Sequence, residues 1–310
     1  GGLFCLSCSD DEQDTGTKQP TTAGEVTFGV DLTGFSTRVT QDGSSWNDGD
    51  KIGTYVLDMK TLEPVTEAAN VPYVCSEEGA SVSFTSTTPL KVQNDGTPVK
   101  FVAYYPYNAD VRNFNYPVQL AAQERGSTAC DLLYAATKEE YTYSPENEPH
   151  ISLNFTHRLA KVILKFVNME KEPLEVSDVR IEGMQTAASF NIQTDVLTVD
   201  ESSVATINPY HNATTGFYEA IILPSALTDS YKVSFVLDDR EKEWIFTNLD
   251  IALPQFHKGY SYTFALYIDD SGFVEMGRLE NVEGGNSSAP WEDGSSEDGT
   301  AEGDKTPVSG

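Results

Sequence analysis

The chain has 310 residues, enough for a sizeable core and, by length, for two domains. It carries 20 Lys+Arg against 48 Asp+Glu, a formal net charge of −28, so it repels phosphate backbones and anionic membrane surfaces; nucleic acid is excluded as a partner. Hydrophobic residues make up 39%, too many for a wholly disordered chain, and no run approaches the roughly 20 apolar residues of a membrane-spanning helix.

The chain opens Gly1-Gly2-Leu3-Phe4-Cys5-Leu6-Ser7-Cys8-Ser9-Asp10-Asp11-Glu12, without an initiator Met or a basic segment. Leu3 to Leu6 read as the end of a signal-peptide apolar core whose beginning is missing. Leu6-Ser7-Cys8 resembles a bacterial lipobox, with Cys8 as the lipidated residue, although Cys5 stands where that pattern prefers Leu. The acids behind Cys8 resemble a surface-export signal, and the Thr-, Gln- and Gly-rich stretch to Gly24 reads as a flexible tether. The competing reading is an acidic terminus with two accidental cysteines.

From Glu25 onward the dominant period is two. Val26, Phe28, Val30 and Leu32 alternate with Thr27, Gly29 and Asp31; the same alternation recurs at 151–155, 162–166, 233–237 and 260–268. It predicts strands with one face on a core and one in water. Val99–Tyr105 and Phe217–Leu223 are apolar on both faces, as central strands are. Turn signals separate these runs at Gln41-Asp42-Gly43, Asn47-Asp48-Gly49-Asp50, Asn94-Asp95-Gly96 and Asp238-Asp239-Arg240. Only the region around Val118 to Ala122 suggests a helical turn. The segment from His150 to Asn168 reads as nearly continuous strand, with His157-Arg158 as the domain boundary. The division is 1–24 signal remnant and tether, 25–157 and 158–283 two β-sandwiches, and 284–310 an acidic Gly/Ser-rich tail without a core of its own.

Chemical motifs are sparse. There is no GxSxG elbow and no GxxxxGK[ST] phosphate loop. His150, His157, His211 and His257 are scattered and form no HxxxH pair, so no metal centre and no cofactor is expected. Asn47-Asp48-Gly49-Asp50 lacks the late Glu of a calcium loop and reads as a plain turn. Asp238-Asp239-Arg240-Glu241 reads as a solvated hairpin. Cys75 and Cys130 form a possible disulfide in an oxidising compartment or stay as two thiols.

Several segments, in order, resemble the fimbrillin-like family of bacterial surface proteins. They are Thr37-Arg38-Val39, Trp46-Asn47-Asp48-Gly49-Asp50-Lys51-Ile52-Gly53, Ala103-Tyr104-Tyr105-Pro106-Tyr107 and Asp131-Leu132-Leu133-Tyr134-Ala135. Leu153-Asn154-Phe155-Thr156-His157-Arg158-Leu159-Ala160-Lys161-Val162 and Pro290-Trp291-Glu292-Asp293-Gly294 complete the set. The resemblance implies an all-β chain of two tandem transthyretin-like sandwiches with flexible acidic termini. It also implies a lipid-anchored protein of the outer membrane or fimbria that builds the shaft, tip or anchor of type V pili and is not an enzyme. In that family a trypsin-like protease cuts after an Arg or Lys and removes the first strand, and a strand from another pilus subunit fills the groove. Arg38 is the candidate cleaved residue; otherwise it is an ordinary loop arginine. The acidic 292–304 stretch makes a poor donor strand, which favours an accessory, tip or anchor role. The alternative is a monomeric glycan-binding surface lipoprotein, with Tyr104, Tyr107 and Trp291 as candidate contacts to a host or bacterial surface ligand.

Overall fold

The computed structural model describes residues 22–31, 46–79, 81–169, 174–269, 271–272, 274–280 and 292–293, and these are almost entirely strand and turn. Cys8, Arg38 and Trp291 lie outside the described residues. The first sheet has eight strands in the order β10 (His150–Ser152), β2 (Thr27–Asp31), β5 (Ser81–Thr85), β4 (Val71–Cys75), β3 (Lys51–Asp58), β7 (Val99–Tyr105), β9 (Leu133–Ala136) and β11 (Thr156–His157). Neighbours run antiparallel except β10 and β2, which are parallel. The two edge strands are separated in sequence only by Leu153, Asn154 and Phe155. Four Cα steps reach at most about 14 Å, so the sheet curls until its edges almost meet. A short ladder of β1 (Gly24–Glu25) on β6 (Lys91–Val92) adjoins it.

The alternation read from the sequence is what fills this curl. Phe28 and Val30 of β2, Ile52 and Val56 of β3, Tyr73 and Cys75 of β4, Phe84 of β5 and Phe101 of β7 point inward and are buried with Trp46 and Phe155. Most of the intervening residues of β3 and β7 do not meet water either. Tyr55, Leu57, Val102, Tyr104 and Tyr134 pack against a second cluster that also takes Phe190, Ile192, Ile221 and Leu223 from the second half of the chain. That accounts for the apolar character of Val99–Tyr105 on both faces.

The second half is a sandwich. One sheet orders β16 (Tyr210–His211), β17 (Tyr218–Ile222), β12 (Ala160–Asn168), β22 (Tyr260–Ile268) and β23 (Val274–Glu280), with β24 (Glu292–Asp293) parallel to the start of β22. The facing sheet is β13 (Val176–Glu182), β19 (Lys232–Leu237) and β20 (Arg240–Ile245). Between them lie Val162, Leu164, Val233, Phe235, Trp244, Phe246, Phe256 and Phe264. A small ladder joins β18 (Ser225–Ala226) to β21 (Gln255–Phe256). Asp238 and Asp239 both adopt positive φ, 50° and 57°, and close the β19–β20 hairpin as a two-residue turn of the primed type.

Two sequence expectations are corrected. Val118 to Ala122 holds no helical turn: β8 (Asn115–Gln119) is a strand, paired with β14 (Ala187–Asn191), which in turn pairs with β15 (Val196–Val199). Its period-two burial puts Tyr116 and Val118 into the shared cluster. The sole helical turn among the described residues is a 3₁₀ turn at Thr128–Cys130. The 150–168 segment is three strands, because the chain must cross from one sheet edge to the other within it.

β8 belongs to the first half by sequence and to a sheet of the second half by pairing. Gln123 strengthens this link: its side-chain Nε2 donates to Ile221 O at 2.7 Å, and its Oε1 accepts from Ile221 N at 2.8 Å. At the His157-Arg158 junction, His157 Nδ1 lies 2.7 Å from Asp131 Oδ1 with both residues buried. Arg158 holds Asp195 through two hydrogen bonds, 2.6 and 3.0 Å, with its guanidinium over the Tyr134 ring.

Candidate functional site

β2 occupies a seat formed by strands distant in sequence. On one side it runs parallel to β10, with Thr27 opposite His150 and Phe28 opposite Ile151; on the other it runs antiparallel to β5, with Phe28 opposite Phe84. Further backbone bonds hold the segment: Val26 N to Leu90 O at 2.9 Å, Thr27 N to Pro149 O at 3.0 Å, and Leu153 N to Gly29 O at 2.9 Å. Every second residue is apolar, so one face of the segment fills the core. Val26 and Phe28 are 0% exposed and Val30 is 2% exposed.

Phe28 sets its edge against Tyr73, 4.8 Å between ring centroids, and against Phe101 at 5.8 Å. The Tyr73 hydroxyl donates to Val26 O and accepts from Leu90 N, both at 2.8 Å. Burial pushes its pKa up to about 12, against the hydrogen bond from Leu90, which acts to lower it. The hydroxyl therefore remains a donor to the first strand at any physiological pH. Removing the segment would strip one strand from between two others and leave a strip of aromatic core and two rows of backbone groups uncovered.

The segment is tight at two points, at Gly24 on the core side and at Gly29 on the outward side. A Cβ built on Gly24 would stand 2.4 Å from Cε2 of Tyr143, and one on Gly29 would stand 2.6 Å from Nε2 of His150. Neither glycine has a positive φ, so what they supply is space for a ring and not an unusual backbone. The His150 ring is fixed by a 2.8 Å hydrogen bond between Nδ1 and the Thr27 hydroxyl. The sequence displayed these glycines, but nothing local announced which rings would lie across them.

The other predicted residues lie elsewhere. Tyr104 is 0% exposed, a correction to its reading as a surface contact: its ring covers Gly53 across the β3–β7 pair, and its hydroxyl donates to Asn70 Oδ1 at 2.5 Å. Tyr107 is half-buried beside the same cluster. Cys75 and Cys130 are free thiols in this structure. Cys75 lies inside the curled sheet and donates to Glu77 O, whereas Cys130 packs against the cluster on the outside of that sheet. Burial raises both thiols, Cys130 to about 11 with the charge of Asp131 adding to the effect. In the Asn47–Asp50 turn, Asn47 N donates to Asp50 Oδ2 at 2.8 Å, and the described residues hold no cluster of three metal-ligating side chains. A cleft of about 550 Å³ opens beside β12 and β13, where His211 stacks on Tyr218 at 4.5 Å.

The fimbrillin-like family model matches residues 37–291. Among curated proteins none matches. Solved structures share the fold. A candidate cell adhesion protein of Bacteroides uniformis is 22% identical with a TM-score of 0.66, covering 84% of this chain and 99% of its own. One of Bacteroides ovatus is 15% identical with a TM-score of 0.61, covering 86% and 97%. A third, of Bacteroides fragilis, is 14% identical with a TM-score of 0.52, covering 84% and 98%.

Proposed function

The chain belongs to the fimbrillin-like family, and we propose that it is a non-enzymatic structural or adhesive protein of the bacterial cell surface that joins a neighbouring subunit by strand exchange. In this reading Cys8 carries the lipid that anchors the chain in the outer membrane. Cleavage after Arg38 then frees the first strand, and a strand from another pilus subunit takes its place. The chain serves as a shaft, tip or anchor component.

The observation that supports this most is the position of β2. The segment from Gly24 to Asp31 fills the core with Val26, Phe28 and Val30, yet both neighbours, β5 and β10, come from beyond residue 38. A cut after Arg38 would sever the chain seven residues past the end of β2 and leave every other strand of the sheet covalently intact. The vacated seat offers what strand addition uses, backbone groups for affinity and alternate pockets for side chains.

The test is limited trypsin digestion of the full chain, followed by mass spectrometry and native gels. A single early cut after Arg38, loss of the N-terminal segment and a ladder of oligomers are the expected results. A monomer that resists cutting there would remove the shaft reading. It would favour an anchor or a glycan-binding lipoprotein, for which the cleft beside His211 and Tyr218 is the place to probe.

A further inference from the structure

The cleft of about 550 Å³ lies between the end of β12, the start of β13 and the β16–β17 hairpin. Its volume falls within the range of small-molecule sites, about 300–1,000 Å³. Phe166, Leu174, Val176 and Tyr218 make its apolar floor; each is half-buried and backs onto the core of the sandwich. Glu175 and His211, both exposed, supply polar groups at its rim.

A rigid aromatic platform is built there. His211 and Tyr218 are cross-strand partners in the β16–β17 ladder, and their rings stack at 4.5 Å with 21° between planes. Tyr218 is held from behind. Its hydroxyl donates to Val176 O at 3.2 Å, across the two sheets, and its ring meets Phe166 at right angles with 5.9 Å between centroids. Asn212 fixes the hairpin, its Oδ1 accepting from Thr214 N at 3.0 Å and Thr215 N at 3.3 Å. Tyr218 covers one face of the His211 ring; since His211 is exposed, the other face is open. A Cβ built on Gly216 would meet nothing within 4 Å, so the hairpin leaves space beside the platform.

Charge and ring geometry narrow the ligand class. Lys165, the one lysine or arginine of the lining, is already paired with Glu280 at 3.3 Å, and the chain carries a net −28, so an anion is repelled. A quaternary cation is held by several ring faces together, and here a single ring face is open. Among the described residues nothing bonds to the Glu175 carboxylate or to either His211 ring nitrogen. A neutral sugar uses both kinds of group. The hydrogens on one face of a pyranose are slightly positive and rest on the negative face of an aromatic ring, while its hydroxyls donate to a carboxylate.

We propose that this cleft binds a neutral pyranose, stacked on His211 and hydrogen-bonded to Glu175. The proposal gives the adhesive reading a ligand class. It uses only the second half of the chain, so its failure leaves strand exchange to be decided by the trypsin digestion above.

The test is saturation-transfer NMR of the full chain with the methyl glycosides of glucose, galactose, mannose and N-acetylglucosamine. N-acetylneuraminic acid and tetramethylammonium serve as charged comparisons. Transfer to at least one methyl glycoside is expected, strongest at the protons of one ring face. His211→Ala should weaken that binding about two- to tenfold, the worth of one ring contact. His211→Trp, a larger ring at the same place, should bind at least as tightly as the native chain, and Glu175→Ala should weaken binding by itself. No transfer to any methyl glycoside overturns the site. Binding that His211→Ala and Glu175→Ala both leave unchanged overturns its placement. A loss with His211→Trp equal to that with His211→Ala overturns stacking, and stronger transfer to either charged comparison overturns the neutral-sugar class.

Discussion

Phe28→Ala measures how far the first strand holds the N-terminal half together. The side chain is 0% exposed and touches two rings edge-on, Tyr73 at 4.8 Å and Phe101 at 5.8 Å. Truncating a buried Phe costs about 3–5 kcal/mol, the lost transfer free energy together with the cavity left behind. The surrounding side chains sit on separate strands of a curled sheet, so collapse into the cavity is limited and the upper half of that range is expected. Urea unfolding of the full chain, followed by far-ultraviolet circular dichroism, gives the cost directly. Thr27→Val is the control on the opposite face of the same strand. It removes one exposed hydrogen bond to His150, worth about 0.5–1.5 kcal/mol. A Phe28→Ala cost below about 1 kcal/mol, or one equal to that of Thr27→Val, would show that the strand does not fill the core as described.

Three further outcomes are expected. Gln123→Ala leaves the backbone N–H and C=O of Ile221 without the bonds that link the two halves; unsatisfied buried groups cost about 1–3 kcal/mol. In urea the variant should lose that much stability, and Gln123→Glu, which cannot donate, should not recover it. Stability should fall as pH rises from about 10 toward 12. Burial raises Tyr73, Tyr116 and Tyr262 to about 12 from an ordinary 10, so the folded chain keeps protons that the unfolded chain releases in that window. Melting temperature against pH checks this, and a flat profile up to pH 12 would contradict it. Alkylation in denaturant without reductant should modify the peptides carrying Cys75 and Cys130 in full, whereas a disulfide between them would leave both unmodified.

The local pattern of the sequence determined the strands. Alternation at 26–30, 151–155 and 233–237 placed apolar side chains on one face, because successive Cβ atoms point to opposite sides of a pleated backbone. The two-faced run at Val99–Tyr105 announced a central strand, and Asp238-Asp239 announced a hairpin, since a two-residue turn needs positive φ at both positions. Pairing was beyond the reach of such patterns. That β2 lies between β5 and β10, that β8 joins β14 across the midpoint of the chain, and that Gln123 substitutes for a neighbour of Ile221 are long-range choices settled by packing. The same holds for side chains whose type suits either environment. Tyr104 reads as a surface aromatic until β3 places Gly53 beneath its ring, and nothing in the sequence marks Gly24 and Gly29 as the positions that Tyr143 and His150 lie across. A period of two tells a side chain which face it is on; only the fold decides what covers that face.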